Sequence, residues 1–319
     1  MNRKLFYFFF ICIFIFLAQF FIFSSKMKNN DELFKSQFQD NYNIYSIVKP
    51  KKLDFAGEKV PIFSSEIWER LDKEMLKNIY WQSNTLLYIK RANKYFPTIE
   101  KILKDNNVPD DFKYLALIES GLENVVSPSG AAGFWQFLKT TAKEYGLEVN
   151  SYVDERYNLE KSTEAACKYL LESYQQFGSW TMAAASYNMG RSRTKKIIKL
   201  QDSNNYYNLH LNSETSRYVF RIIAIKEILQ NPDEYGFNFR SNDLYEFENY
   251  KIIDIDTTIT DLYFFAKIHE INYKMLKLYN PWLRKGSLPD ESRKMYHIKI
   301  PFNKSNELIF PNIEKDTIF

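Results

Sequence analysis

Cysteine and histidine are scarce in this chain, and their positions exclude two kinds of site. Its 319 residues include only two cysteines, Cys12 and Cys167, and three histidines. Cys12 lies in the N-terminal apolar segment, so the remainder of the chain has one cysteine and no internal disulfide. Cys167 follows a helical pattern without a neighbouring histidine, which indicates a small buried core residue rather than a nucleophile. His210, His269 and His297 lack the spacing of metal ligands, so the sequence supports no metal site.

An excess of charge of one sign is also missing. The chain has 43 basic and 39 acidic residues, a formal net charge of +4. Two of these positive charges, Arg3 and Lys4, stand at the extreme N-terminus. The near-balance that remains argues against a nucleic-acid binder.

The N-terminus has a long hydrophobic run at residues 5–23, directly after Asn2-Arg3-Lys4. Its length approaches that of a membrane span, and no small-x-small cleavage site stands near Ser24 and Ser25. Residues 1–25 are therefore a signal peptide or a signal anchor, and we favour the anchor. Because basic residues precede the run, a cytoplasmic N-terminus with the bulk of the chain exported is expected. Residues 26–50 are polar and predict a flexible tether.

Alternating β patterns are absent between Trp68 and Leu229, where the periodicity of apolar residues is helical throughout. This predicts an all-α domain over residues 51–235. Glycines and N-capping residues mark the helix ends. The predicted helices are one opened by Pro97 and Thr98, one from Pro109 to Glu119 stopped by Gly121, Phe134–Tyr145, Leu159–Phe177 closed by Gly178, Trp180–Asn188 closed by Gly190, and Ser213–Leu229 with Ser213 as N-cap.

The pattern changes after Pro232. Tyr250–Ile255 and Met295–Pro301 read as strands, with short helical patterns at Thr260–His269 and Tyr273–Tyr279 between them. Residues 248–302 therefore predict a small β-α-α-β module, followed by a tail at 303–319. The fold class expected for the whole chain is mainly α, with this small module at its C-terminal end.

Glu119 is the residue whose surroundings point most directly to chemistry. It closes the apolar run Tyr114–Ile118, where burial would raise its pKa and keep a proton available near neutral pH. A protonated carboxylic acid is what cleavage of a glycosidic bond requires, because the leaving oxygen must take up a proton. The competing interpretation is a helix-terminal glutamate that reaches solvent, and neighbouring motifs have to decide.

Four segments in one order carry a resemblance to a known family. They are Glu119-Ser120, Ser127–Gln136, Ser186–Gly190 and Glu214–Val219. They resemble the signatures of the lytic transglycosylases with a lysozyme-like domain, enzymes that cleave peptidoglycan strands. In addition, Phe55–Pro61 resembles the segment before that domain in the membrane-bound murein transglycosylase D type.

The sequence departs from these signatures at a few positions. Phe134-Trp135 stands where the family has Leu-Met, and Ser186 where it has Ala. These departures concern the detail of the sugar subsites rather than the chemistry.

The resemblance implies a mechanism with one carboxyl group. Glu119 would protonate the oxygen that links N-acetylmuramic acid to N-acetylglucosamine, then accept the proton of the muramic 6-hydroxyl as that oxygen closes onto C1. The product would be a 1,6-anhydro sugar, and no cofactor is implied. Retaining glycosidases ordinarily need a second carboxylate. Glu123 is the tempting partner, but Gly121 is expected to break the helix between them, and we interpret Glu123 as a surface residue.

Other motif residues have a functional and a structural interpretation each. Tyr187 would donate its hydroxyl to Glu119, or it is a core tyrosine. Ser127 would bond Glu119 or a sugar N-acetyl group, or cap its loop. Gln136 would line the sugar groove, or it is a satisfied structural amide.

The remaining candidates belong to the last two signatures. Asn188 would bind a sugar amide or hold the turn before Gly190. Tyr218 resembles the groove tyrosine of the last signature. Glu214 fits the first-turn acid of its helix better than a catalytic group.

The 250–301 unit resembles the LysM module, which binds glycans containing N-acetylglucosamine. Asp256-Thr257-Thr258-Ile259 replaces the usual Gly-Asp-Thr-Leu turn, so glycan binding and a purely packing role both stay open. The resulting hypothesis is a periplasmic lytic transglycosylase of the cell envelope. It would be tethered to the inner membrane by residues 5–23, or exported after signal cleavage, and its partner would be peptidoglycan glycan strands. A muramidase that uses water on the same scaffold and a non-catalytic cell-wall-binding protein are the alternatives.

Overall fold

The structure is a computed structural model that describes residues 44–246, 249–289 and 294–302. The described residues from Lys49 onward group into one compact unit. The predicted signal or anchor segment 1–25, most of the predicted tether 26–50 and the predicted tail 303–319 lie outside the described residues. Within the described ranges, no helix combines the length and hydropathy that a membrane crossing requires.

Helices dominate the part of the chain that the structure describes, as predicted. They are α1 (Ser65–Tyr80), α2 (Gln82–Asp105), α3 (Phe112–Ser120), α4 (Lys139–Glu144), α5 (Leu159–Phe177), α6 (Trp180–Met189), α7 (Arg191–Gln201), α8 (Thr215–Gln230), α9 (Leu262–Ile268) and α10 (Tyr273–Tyr279).

Two small antiparallel sheets accompany these helices in the described ranges. Strand β1 (Asp54–Phe55) pairs with β2 (Glu58–Lys59), and β3 (Tyr250–Ile255) pairs with β4 (Tyr296–Pro301). The second pair, with α9 and α10 between its strands, forms the β-α-α-β module that the sequence predicts. The first pair is a short hairpin that the interpretation as an all-α domain did not include.

Helix α8 lies at the centre of the helical domain. It packs against α1, α3 and α6, and its side chains are buried on most sides. Apolar side chains on most sides of a helix are stable only inside a core, because exposure would leave apolar surface in water. Its buried residues are Thr215, Tyr218, Val219, Phe220, Ile222, Ile223, Ala224, Ile225, Lys226 and Ile228.

Glycine ends two of the predicted helices where expected. Helix α3 stops at Ser120 and is followed by Gly121 at φ 63°, and α5 stops at Phe177 and is followed by Gly178 at φ 68°. Both glycines adopt the left-handed conformation that closes helices and that residues with a Cβ reach only at a cost. The sequence prediction of these ends is confirmed.

The predicted helix start at Pro97 is wrong. Pro97 lies inside α2, a helix of 24 residues. An internal proline costs a helix about 3 kcal/mol. The buried side chains on either side of it, Phe96 and Ile99, belong to the apolar face that α2 turns to the core, and their burial offsets that cost.

The predicted helix Phe134–Tyr145 forms only over Lys139–Glu144. Ala132 instead makes β-bridges with Val126 and with Phe137. Gly133 at φ 77° and Gln136 at φ 50° take left-handed conformations, which are incompatible with an α-helix. The first half of the predicted helix is therefore a tight loop beside the end of α3.

Ser213 is not the N-cap of α8, contrary to the sequence prediction. The helix begins at Thr215, and the Thr215 amide donates to the Asn212 side chain at 2.8 Å. Asn212 thus satisfies the first amide of the helix, a role that asparagine performs as well as serine.

The β1–β2 hairpin ties together the three helices that carry the motif residues. The Ala56 amide donates to Asp111 Oδ2 at 2.5 Å, just before α3, and Lys226 of α8 donates to the same oxygen at 2.7 Å. Glu58 accepts from the amides of Trp180 and Thr181 at 2.6 and 3.0 Å, at the start of α6. A carboxylate at a helix N-terminus satisfies otherwise unpaired amides and complements the helix dipole. This explains the glutamate of the Phe55–Pro61 motif.

The C-terminal module is docked on the helical domain by backbone and core contacts. The Asp154 amide donates to Trp282 O at 2.9 Å, and the Arg284 amide donates to Tyr152 O at 2.7 Å. Val153 and Tyr157 of the helical domain lie in the same buried cluster as the core of the module. The Arg284 guanidinium stands 4.2 Å from the centre of the Tyr157 ring. The two parts therefore share one continuous core.

Candidate active site

Glu119 lies in the last turn of α3 and faces α8. The Tyr218 hydroxyl of α8 donates a short hydrogen bond to Glu119 Oε1. One helical turn further along α8, Arg221 Nη2 donates to Ile118 O at 2.8 Å. Residues spaced three or four apart lie on one face of a helix, so α8 presents both groups to the end of α3.

Burial raises the pKa of the Glu119 carboxyl group. The hydrogen bond from Tyr218 and the positive charge of Arg221 lower this pKa, while the negative charge of Glu214 raises it, and the net direction is upward. The residue keeps partial access to solvent, so a substrate oxygen can reach it. The sequence predicts a raised pKa for the Glu119 carboxyl group, and the direction of this shift is confirmed.

Tyr187 does not orient Glu119, contrary to one of the two interpretations of the sequence. Its hydroxyl donates to Trp135 O at 2.7 Å, and its ring packs edge-on against Phe137 and Tyr169 at centroid distances of 5.9 and 5.1 Å. Tyr187 is therefore a core tyrosine in these contacts, and the hydroxyl that orients the Glu119 carboxyl group belongs to Tyr218. Each tyrosine stands in its own motif, and no spacing along the chain shows which of them reaches Glu119.

Both tyrosines remain hydrogen-bond donors at any physiological pH. Burial raises the pKa of the Tyr218 and Tyr187 hydroxyls well above the ordinary value, and the negative charge of Glu119 acts in the same direction. Neither hydroxyl can act as a base at neutral pH. Tyr218 is thus a fixed donor to the Glu119 carboxyl group.

Asn188 joins the end of α6 to the start of α8. Its Nδ2 donates to Glu214 Oε1 at 3.2 Å, and its Oδ1 accepts from Thr215 Oγ1 at 2.8 Å. The sequence interpretation of Glu214 as an ordinary first-turn acid missed this contact with Asn188. The two signatures are therefore one hydrogen-bonded unit beside Glu119, which no separation along the chain could have revealed.

Ser127 and Gln136 make the structural contacts that the sequence left as alternatives. Ser127 Oγ accepts from the Ala131 amide at 3.0 Å, which caps its own loop. Gln136 Nε2 donates to Gly133 O at 2.8 Å and to Val125 O at 3.1 Å. Among the described residues, no hydrogen bond joins Ser127 to Glu119. Their contacts with sugar stay predictions.

Ser120 is a positioning residue that the sequence reasoning did not single out. Its hydroxyl donates to Phe134 O at 2.9 Å and accepts from the Leu122 amide at 3.1 Å. These bonds hold the end of α3 against the loop that follows it. Its place directly after Glu119 in the motif was the available signal.

Glu123 is turned away from Glu119, as expected of a surface residue. Gly121 and Leu122 both have positive φ, 63° and 57°, so the chain reverses after α3. Glu123 is exposed and forms an ion pair with Arg91 at 2.6 Å. The prediction that Gly121 breaks the helix between the two glutamates is confirmed.

Cys167 is a core residue, as the sequence indicates. It is buried in α5, and burial raises the pKa of its thiol to about 12. A thiol that is protonated and inaccessible at neutral pH is not a nucleophile. In the part of the chain that the structure describes, no group of three or more His, Cys, Asp or Glu side chains could hold a metal ion.

Comparisons with known proteins identify two domains in this chain. Residues 96–210 match the family described as Transglycosylase SLT domain, and residues 251–304 match the Soluble lytic transglycosylase C-terminal LysM-like domain. The first match contains Glu119 and Asn188 and ends before Glu214.

Two curated relatives are each named Membrane-bound lytic murein transglycosylase D, one from Escherichia coli strain K12 and one from Escherichia coli O6:H1 strain CFT073. Each is 30% identical over 198 residues, which is 59% of this chain and 43% of the relative. This chain thus aligns with less than half the length of these relatives. It contains a lysozyme-like transglycosylase SLT domain followed by a LysM-like domain of the soluble lytic transglycosylase type, and it is homologous to the membrane-bound lytic murein transglycosylase D proteins.

Proposed function

We propose that this protein is a peptidoglycan lytic transglycosylase in which Glu119 is the single general acid and base. The observation that carries the proposal is the environment of its carboxyl group, whose pKa burial raises and which the Tyr218 hydroxyl holds in place. A general acid works best when its pKa lies near the working pH, and burial is the usual way to raise a glutamate into that range.

The proposed reaction conserves every proton within the site and the substrate. The Glu119 carboxylic acid transfers its proton to the glycosidic oxygen between C1 of N-acetylmuramic acid and N-acetylglucosamine, and the C1–oxygen bond breaks. The muramic 6-hydroxyl oxygen then bonds to C1 and gives its proton to the Glu119 carboxylate. The acid is regenerated, the product ends in a 1,6-anhydro sugar, and no water is consumed. The substrate supplies the nucleophile that a retaining glycosidase would take from a second carboxylate.

Ser127, Gln136, Tyr187 and Asn188 are proposed to line the sugar-binding groove, and Tyr218 both to contact the sugar and to hold Glu119. Support comes from their motifs, two of which the structure links through the bonds from Asn188 to Glu214 and Thr215. Sugar hydroxyl and amide groups would meet these side chains, whose own hydrogen bonds keep them fixed before the substrate arrives.

A muramidase that uses water on the same scaffold is the second candidate. Glu214 favours it, because this carboxylate is close enough to raise the pKa of Glu119 and could orient a water molecule. Its hydrogen bond with Asn188 and its place at the start of α8 support the positioning role instead. A non-catalytic wall-binding protein is the third candidate, and the desolvated Glu119 argues against it.

Product analysis distinguishes these candidates. Purified protein is incubated with isolated sacculi, and the soluble fragments are examined by mass spectrometry. Fragments that end in 1,6-anhydromuramic acid, absent with Glu119→Gln, are expected. Fragments with reducing ends alone would establish the muramidase, and lysis by Glu119→Gln equal to that of the wild type would refute the role of Glu119.

The remaining proposals concern the domain boundaries of the protein and its location in the cell. We propose a helical catalytic domain at 51–235, a glycan-contacting LysM-like module at 248–302, and a site of action at the cell envelope. Residues 5–23 would hold the protein at the inner membrane, or a signal peptide within 1–25 would be removed on export. The relatives' printed name, membrane-bound, agrees with the first arrangement.

A further inference from the structure

A crevice separates the start of α5 from the outer face of the β3–β4 sheet. It encloses a cavity of about 270 Å³. We refer to it as the interdomain crevice, and its two walls are formed by Glu160, Lys161 and Glu164 on α5 and by Tyr250, Ile252 and Lys299 on the sheet. Because the two domains share one core, both walls are fixed relative to each other, as a preformed binding site requires.

Exposed aliphatic side chains line the sheet side of this crevice. Ile252 is 56% exposed and Met295 is 46% exposed, and both line the cavity. Ile252 lies opposite Lys299 in the strand register, on the face that points away from the core of the module. Apolar side chains left open in a concave site offer contact to methyl-sized groups of a ligand.

The aromatic residues of the interdomain crevice do not offer an open ring face. Trp282 is 3% exposed and Tyr296 is 5% exposed, and their rings stack on each other with centroids 5.7 Å apart. Lys299 Nζ lies 5.0 Å from the centre of the Tyr250 ring. A sugar ring binds by stacking on an accessible aromatic face, so these residues do not form a platform for a glycan.

The rim of the interdomain crevice carries charges of both signs. Glu164 is exposed, and among the described residues no ion pair engages it. Glu160, by contrast, is paired with Lys299 at 2.5 Å. Lys161 adds a basic group on the same rim, 4.0 Å from Glu155, and His297 lies there with its Nδ1 bonded to Asp254 Oδ1 at 2.5 Å. A ligand with a free amino group and carboxylates would find partners for both.

A second, narrower cavity adjoins the interdomain crevice. It shares Glu160 and Trp282 with the crevice and extends to Asn124 and Phe134. Phe134 accepts a hydrogen bond from Ser120, the residue after Glu119. The lining of the second cavity therefore reaches from the interdomain crevice to the loop that follows Glu119.

We propose that the interdomain crevice binds the peptide stem that peptidoglycan carries on its muramic acid residues. This inference rests on the proposed function. The stem is a short peptide with alanine methyl groups, carboxylates and, at its diamino acid, a free ammonium group. The methyl groups would contact Ile252 and Met295, the ammonium group would meet Glu164, and a carboxylate would meet Lys161.

Direct binding tests this proposal without relying on catalysis. The probe is the stem tripeptide L-alanyl-γ-D-glutamyl-diaminopimelate, titrated into the Glu119→Gln protein and measured by calorimetry. We expect binding that the double variant Ile252→Ser, Glu164→Gln weakens at least tenfold. The matched control is Leu200→Ser, Glu69→Gln, which replaces an exposed aliphatic residue on α7 and an exposed glutamate on α1 in the same way. Failure of the tripeptide to bind, or equal binding to both double variants, would overturn the proposal.

Activity assays separate a failure of this proposal from a failure of the proposed function. Strands with stems and strands stripped of stems by an amidase are digested in parallel by wild type and by the crevice double variant. We expect the variant to lose about tenfold in kcat/KM on strands with stems and nothing on stripped strands. Equal loss on both substrates contradicts a stem site, whereas the absence of anhydro ends from either substrate with the wild type contradicts the proposed function alone.

Discussion

Replacing Tyr218 by phenylalanine isolates the contribution of one hydrogen bond to the general acid. The variant keeps the buried ring of α8 and removes the hydroxyl that donates to Glu119 Oε1. A hydrogen bond to a charged group contributes about 1.5–3 kcal/mol, and about 1.4 kcal/mol corresponds to a tenfold change in rate. If the bond is fully used in the transition state, activity falls by roughly 10- to 150-fold.

The same substitution changes the pH dependence in a defined direction. The Tyr218 hydroxyl lowers the pKa of Glu119, because it stabilises the ionised carboxylate. Without it the pKa rises, so the alkaline limb of the pH–rate profile moves to higher pH. A loss of ring packing alone would lower the rate without moving that limb.

Tyr187→Phe is the matched control for this prediction. It removes a buried tyrosine hydroxyl from the same site, but that hydroxyl donates to Trp135 O rather than to Glu119. Release of anhydro fragments from sacculi, measured between pH 4 and pH 9 for both variants, gives the comparison. If Tyr187→Phe moves the alkaline limb and Tyr218→Phe leaves it in place, the assignment of the orienting hydroxyl is refuted.

Three further predictions concern stability and are all measured by thermal or denaturant unfolding. Burial raises the pKa of Glu119 in the folded state above its value of about 4.3 in the unfolded state. The free energy of unfolding therefore falls as the pH rises from the unfolded pKa to the folded pKa, by about 1.4 kcal/mol for each pH unit of that interval. Glu119→Gln should therefore melt higher than wild type at pH 7 and match it near pH 4; equal melting at both pH values contradicts this. A Cβ on Gly133 would lie 1.8 Å from Arg156 O, whereas one on Gly130 meets nothing within 4 Å. Both positions have positive φ, so each alanine variant should lower the free energy of unfolding by about 1–2 kcal/mol. The clash should make Gly133→Ala less stable than Gly130→Ala by about 1–3 kcal/mol, and equal losses in the two variants would contradict it. Glu58→Ala leaves the amides at the start of α6 without their carboxylate and should lower the free energy of unfolding by about 1–2 kcal/mol. A loss smaller than about 0.3 kcal/mol would contradict this role of Glu58.

Local signals explain why much of the secondary structure could be predicted. The end of α3 and the whole of α5 follow from glycines that take positive φ and from apolar residues at helical spacing. Strand β3 and helix α10 begin and end where the sequence pattern places them. These features depend on a residue and its neighbours in the chain, so a single sequence contains them.

The errors arise where packing outweighs local preference. Pro97 continues a helix because its neighbours are held in the core. The Phe134–Trp135 segment forms a loop because Ala132 pairs across it with Phe137, while Ala132 also pairs with Val126 earlier in the chain. The intrinsic preference of a residue for helix is too small in free energy to outweigh tertiary contacts of this kind.

The sequence by itself determined which chemistry is available. An apolar run that ends in Glu119, together with its ordered motifs, was enough to predict an acid with a raised pKa in a helical domain, because burial and composition are readable from the chain. The tertiary structure alone decided which group serves that acid. Tyr218 rather than Tyr187 donates to Glu119, and Asn188 bonds Glu214, since these pairs are brought together only when α3, α6 and α8 pack. Hydrogen bonds require an approach of about 3 Å, and separations along the chain do not contain that information.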